Sequence, residues 1–116
     1  MSFRVLVVED EGLVAMTLED MLDDLGCEIA GSAASVKEAL AWIAGGGAAD
    51  AALLDISLAG EYVFPVAEAL TERGVPFAFT TGYGETPAGQ FRTAPLVSKP
   101  VRKDRLAETL RLLGRD

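Results

Sequence analysis

With 116 residues, half of them apolar, and a formal charge of −8, the chain is long enough for one domain with a real core and too apolar for a disordered tail. One cysteine, Cys27, and no histidine exclude an intramolecular disulfide and any thiolate or imidazole metal centre, so a bound metal must be a hard ion held by oxygen. No apolar run is long enough to span a bilayer and no signal-like segment follows Met1, which points to a soluble, cytoplasmic protein.

Strand and helix patterns alternate five times. A first strand spans Val5 to Val8, and a first helix begins after Asp10 or Glu11, either of which can cap its free N–H groups. Val14, Leu18, Met21 and Leu25 form its apolar stripe, with Glu19, Asp20, Asp23 and Asp24 opposite. Gly26 ends it, and Cys27 to Gly31 is a weaker second strand. A second helix runs from Ser35 with Val36, Ala39, Leu40 and Ile43 inward and stops in the Gly45-Gly46-Gly47 loop. The third strand, Ala51-Ala52-Leu53-Leu54-Asp55, is apolar at four consecutive positions, as a strand covered on both faces requires, and ends on a carboxylate. A third helix buries Val63, Val66, Ala67 and Leu70, and the fourth strand is Val75 to Thr81. Gly84, Pro87, Gly89 and Pro95 make the fourth helix short or irregular. Leu96-Val97-Ser98 is the fifth strand, and a last helix from about Lys103 turns Leu106, Leu110 and Leu113 inward. The sum is an α/β (βα)5 fold, one parallel sheet wrapped by helices in three layers.

In such sheets ligands bind outside the carboxyl ends of the strands. There the first strand delivers Glu9-Asp10, the third Asp55, the fourth Thr80-Thr81-Gly82 and the fifth Lys99-Pro100. Three carboxylates at one edge repel one another unless a cation neutralises them. Mg²⁺ suits the task, because it prefers oxygen, keeps several waters and takes one or two carboxylates; Asp10 and Asp55 would hold it directly and Glu9 through water. Asp55 can then act as a nucleophile that forms an aspartyl phosphate, with Lys99 supplying positive charge and the Thr81 hydroxyl a hydrogen bond to the phosphoryl oxygens. Side chains alternate along a strand, so only one of Thr80 and Thr81 faces that group; Thr81, beside Gly82, is the choice.

These residues, in this order and spacing, resemble the receiver domain of two-component response regulators over the whole chain. Pro76-Phe77-Ala78-Phe79-Thr80-Thr81-Gly82-Tyr83 is similar to a subgroup of single-domain receivers marked by Phe-Ala-Thr-Gly and common in alphaproteobacteria, with Thr80 in place of the usual Ala. The resemblance implies a flavodoxin-like sheet ordered 2-1-3-4-5, Mg²⁺ held by Asp10, Asp55 and the backbone carbonyl of Ser57, and a cis peptide before Pro100 that orients Lys99. It also implies phosphorylation of Asp55 by a sensor histidine kinase or phosphotransfer protein. Residues 1–116 then form one receiver domain with no output domain, a phosphoacceptor rather than an enzyme. Such a domain works through contacts with a downstream protein as a relay, phosphate sink or switch.

The pattern departs from the family in places that bear on the switch. Leu96 stands where receivers carry an aromatic three residues before the lysine, and Tyr83 is the candidate to replace it or to gate the site. Leu58-Ala59-Gly60-Glu61 replaces the frequent Pro-X-X-Gly after the phosphoacceptor, and the altered segment after Tyr83 changes the fourth-helix side of the partner face. An aspartyl phosphatase would want an acid two residues after Asp55, where Ser57 stands, and a nucleotide site would want glycines at Glu9-Asp10-Glu11. A phosphorylation-independent adaptor with a receiver fold is the remaining alternative. Residues 1–61 hold twelve acids and two bases, which excludes nucleic acid there; residues 62–116 hold six acids and eight bases, ending in Arg102, Lys103, Arg105, Arg111 and Arg115, a candidate docking face. Cys27 and Trp42 read as structural.

Overall fold

The computed structural model describes residues 2–82, 84–87 and 89–116. Five parallel strands, β1 (Arg4–Val8), β2 (Glu28–Ala33), β3 (Ala51–Asp55), β6 (Phe77–Thr81) and β7 (Leu96–Ser98), form one sheet in the order β2-β1-β3-β6-β7. This is the expected 2-1-3-4-5 order of the parallel strands. The numbering skips a two-stranded antiparallel hairpin, β4 (Ser57–Leu58) and β5 (Glu61–Tyr62), inserted directly after β3. The helices are α1 (Gly12–Asp24), α2 (Val36–Ala44), α3 (Phe64–Glu72) and α4 (Lys103–Leu112).

Alternation along the strands divides the core into two layers. Leu6, Val8, Leu54 and Phe79 pack with Val36, Ala39, Ile43, Val66 and Leu70 of α2 and α3. Val5, Val7, Leu53 and Ala78 pack on the other face with Leu18 and Leu22 of α1 and Leu106 and Leu110 of α4. Every residue of β3 is buried, the reason its sequence is apolar without alternation.

Local chemistry sets most boundaries. Ser35 caps α2 by accepting the Glu38 N–H at 3.1 Å, and the Glu38 carboxylate accepts the Ala34 N–H at 2.9 Å. At α1 the expectation of a carboxylate cap fails: the capping position is Glu11, and no side chain caps it, because Asp10 is engaged across the site. The fourth crossover carries only a one-turn 3-10 helix, Gly89–Phe91, among its described residues, in line with its glycines and prolines. Trp42 lies over Gly31 and Gly47, where an added Cβ would come within 2.5 Å and 2.4 Å of the indole, so both glycines are required by close packing. Cys27 is buried, and burial pushes its thiol up. The Lys99-Pro100 peptide is cis, as the resemblance implied.

Candidate functional site

The parallel sheet brings Glu9, Asp10, Asp55 and Lys99 to one edge, because β1, β3 and β7 all end there. Lys99 Nζ lies 2.8 Å from Glu9 Oε1 and 3.0 Å from Asp55 Oδ2, one ammonium shared by two buried carboxylates. Glu9 Oε2 accepts the Glu11 N–H at 3.0 Å, which engages both oxygens of this nearly inaccessible side chain. Asp10 Oδ2 accepts the Ala59 N–H at 3.0 Å and so ties the end of β1 to the hairpin after β3. One carboxylate oxygen each from Glu9, Asp10 and Asp55 lies within 4.8 Å of the others.

Burial pushes the Asp55 and Glu9 carboxyls up, and the contacts with Lys99 offset only part of that cost. For Lys99 burial acts downward but is outweighed by the two acids, which hold the ammonium above its ordinary value. Asp10 is less enclosed; burial acts to raise its carboxyl, but the Ala59 N–H and the other hydrogen bonds together outweigh it and hold the group below its ordinary value. The edge thus contains one readily ionised carboxylate, Asp10, beside two that favour a cation.

A cavity of about 640 Å³ opens over this cluster, with Asp10, Asp55, Ser57, Gly82 and Lys99 in its lining and Leu13, Val14 and Val101 forming an apolar wall. Glu9 is buried and does not line the cavity. Ser57 is exposed at the start of the hairpin, two residues from Asp55, as its sequence position required. The hairpin turns on Ala59 and Gly60, both at positive φ (47° and 85°), the conformation of a type I′ turn. This hairpin was not among the elements expected from the sequence. Its signal was present in the two-residue Ala59-Gly60 connection, but neither flanking strand exceeds two residues, too short for alternation to show.

The two threonines are less settled by position. Asp55 is paired with Thr80 in the β3–β6 ladder, and Thr81 follows at the carboxyl edge, where its carbonyl accepts the Lys99 N–H at 2.7 Å. Both side chains are buried, neither lines the cavity, and neither hydroxyl has a hydrogen-bond partner among the described residues. Leu96 is not brought to the cluster; it is 39% exposed and lines a separate groove between β7 and α4. Tyr83 lies outside the described residues.

No helix among the described residues is long and apolar enough to cross a membrane. Comparison with curated proteins finds no match. The sequence matches the response regulator receiver domain family over residues 5–111. Among solved structures, the chain is similar to SdrG from Sphingomonas melonis Fr1, with 43% identity, a TM-score of 0.85 and coverage of 97% of this chain and 96% of that one. The BeF3-activated conformation of SdrG, recorded from Pseudomonas melonis Fr1, superposes with a TM-score of 0.80 at 43% identity, covering 97% of this chain and 98% of that one. The receiver domain of the PhyR response regulator from Erythrobacter litoralis is 34% identical, with a TM-score of 0.80 and coverage of 97% and 89%. With its sheet order, its acidic edge and this match over nearly its full length, the chain belongs to the receiver domain family of two-component response regulators.

Proposed function

We propose that Asp55 is the phosphoacceptor of a Mg²⁺-dependent phosphotransfer from the phosphohistidine of a sensor histidine kinase or phosphotransfer protein. The observation that carries this reading is the Lys99 ammonium at 3.0 Å from Asp55 Oδ2, both in the lining of a cavity that Asp10 also lines. An Asp55 carboxylate oxygen forms the new O–P bond as the donor's N–P bond breaks, and the electron pair of that bond returns to the imidazole nitrogen. Lys99, already beside Asp55, donates to a phosphoryl oxygen. Of the two unpartnered hydroxyls we assign the Thr81 Oγ1 to a second phosphoryl oxygen, because Thr81 is one residue nearer the carboxyl edge and adjoins Gly82, which lines the cavity.

The donor set fits a hard divalent ion: only oxygens are offered, three carboxylates converge, and Lys99 alone neutralises two of them. Asp10, Asp55 and the Ser57 backbone carbonyl would hold Mg²⁺ directly, with Glu9 acting through water. When bound it supplies charge neutralisation and oriented oxygen ligation for the incoming group.

The chain is then a phosphoacceptor that assists its own phosphorylation and dephosphorylation, with the small, exposed Ser57 leaving room for the hydrolytic water. It acts through protein contacts as a relay, phosphate sink or switch. The test is incubation with Mg²⁺ and a small acyl phosphate followed by intact-mass measurement. A single phosphoryl adduct on the wild type and none on Asp55→Ala is the expected result; an adduct on both, or on neither, refutes the assignment.

A further inference from the structure

We propose that the backbone N–H of Ala59, at the turn of the β4–β5 hairpin, is a positioning group for Mg²⁺. It fixes the Asp10 carboxylate as a ligand, and one rigid hairpin presents both this donor and the Ser57 carbonyl. The inference rests on the reading of Asp10, Asp55 and Ser57 as the residues that hold the ion.

The three carboxylates of the cluster are not held alike. Glu9 and Asp55 share the Lys99 ammonium at 2.8 Å and 3.0 Å, and Glu9 also accepts the Glu11 N–H. Asp10 is only partly buried and has no cation within ion-pair distance among the described residues. Its tie to a distant part of the chain is the Ala59 N–H, which donates to Oδ2 at 3.0 Å. That bond takes one carboxylate oxygen and leaves the other for a metal. Mg²⁺ demands near-ideal octahedral geometry, so a carboxylate free to turn is a poor ligand for it and one fixed by an outer hydrogen bond is a better one.

The donor is itself held in place by the hairpin. Ala59 adopts φ 47°, a left-handed conformation that alanine keeps only where its surroundings impose it. Leu58, the residue before it, is fully buried, and so are Ile56 and Val63 at the base. The Val63 N–H donates to the Ile56 carbonyl at 2.9 Å and closes that base. Antiparallel pairs alternate between hydrogen-bonded and non-hydrogen-bonded, so with Ile56 and Val63 bonded the Ser57–Tyr62 pair is not. The Ser57 N–H and C=O therefore face out of the ladder, which leaves the carbonyl its capacity for a metal. Ser57 and Ala59 flank Leu58, whose burial anchors both, and they line the same cavity as Asp10.

The experiment replaces Ala59 by L-lactate in the full chain, which exchanges the N–H for an ester oxygen and keeps the methyl group. Calorimetric titration should show Mg²⁺ binding weakened about tenfold and Ca²⁺ binding weakened less, because the larger ion accepts irregular geometry. Ala59→Gly keeps the N–H and relieves the left-handed strain, so its Mg²⁺ affinity should stay within about twofold of the wild type. In the wild type, the Ala59 amide should gain protection from exchange when Mg²⁺ binds. Mg²⁺ affinity unchanged by the lactate substitution, or Mg²⁺ and Ca²⁺ weakened alike as by a general loosening, overturns the proposal. Tighter Mg²⁺ binding by the lactate variant, or loss of Ala59 protection on Mg²⁺ binding, also overturns it, since the bond would then compete with the ion. A wild type that takes up no Mg²⁺ removes the metal reading itself, and this inference with it.

Discussion

On the β1 and β3 side of the site, Glu9, Asp10 and Asp55 each hold a hydrogen bond or ion pair, whereas on β6 the buried hydroxyls of Thr80 and Thr81 have none among the described residues. The carboxylate side is joined by short connections, the three residues between β1 and α1 and the Ala59-Gly60 turn, and is cross-tied by Lys99 and the Ala59 N–H. The β6 side leads into a long crossover that is regular over only one 3-10 turn among its described residues. An unmet buried hydroxyl costs about 1–3 kcal/mol, and a phosphoryl oxygen on Asp55 is a partner that would satisfy it. If Asp55 is the phosphoacceptor, the carboxylate side is the fixed half of the site and the response to phosphorylation is expected on the β6 side.

The largest effect should come from removing the cross-tie. Lys99→Met leaves two buried carboxyls without their cation and should lower stability by about 3 kcal/mol near neutral pH, measured by urea denaturation. Both carboxyls lie above their ordinary values when folded, so the stability tied to them is complete at low pH and is lost as pH rises through the folded values. Without Lys99 those values rise further, so the variant's deficit should grow between acid and neutral pH; a deficit constant across that range would show that the ammonium is not what holds this side together. Asp10→Ala removes the tie to the hairpin and should cost about 1 kcal/mol, since the Ala59 end is exposed, while lowering Mg²⁺ affinity in calorimetry at least about tenfold. Ala59→Asn keeps that backbone N–H and suits the left-handed turn better than alanine, so it should raise stability by about 0.5–1 kcal/mol in the same urea measurement.

This contrast also separates what was readable in the sequence from what was not. Ala51 to Asp55 announced itself, because a run of apolar residues closed by an acid has few uses in an α/β chain, and Lys99-Pro100 after a short strand fixed the opposite wall. Elements held by periodic burial, such as Leu106 and Leu110 of the last helix and Leu113 at its C-terminal cap, stand where the pattern placed them. The cap expected of Asp10 failed because a carboxylate at a strand end has a choice of N–H donors, and the one it takes belongs to Ala59, forty-nine positions away. Leu22 is fully buried although the stripe through Val14, Leu18, Met21 and Leu25 passed it by, since α1 packs a wider face than one line of residues. Contacts of that kind are decided by tertiary geometry, which no local pattern encodes.

The smallest effect on stability is expected at the two threonines, and it distinguishes them functionally. Replacing either by valine removes a hydroxyl that has no partner and keeps the shape, so each variant should be as stable as the wild type or more so, by no more than about 1 kcal/mol. If Thr81 donates to the phosphoryl group, Thr81→Val should slow phosphorylation by a small acyl phosphate about tenfold, the worth of one hydrogen bond to a charged group, and Thr80→Val should not. The opposite pattern would transfer the role to Thr80, which pairs with Asp55 in the ladder and shares its face of the sheet. A loss of stability in either variant would mean that the hydroxyl already has a partner in the resting protein, and the division between a fixed carboxylate side and a responsive β6 side would fail.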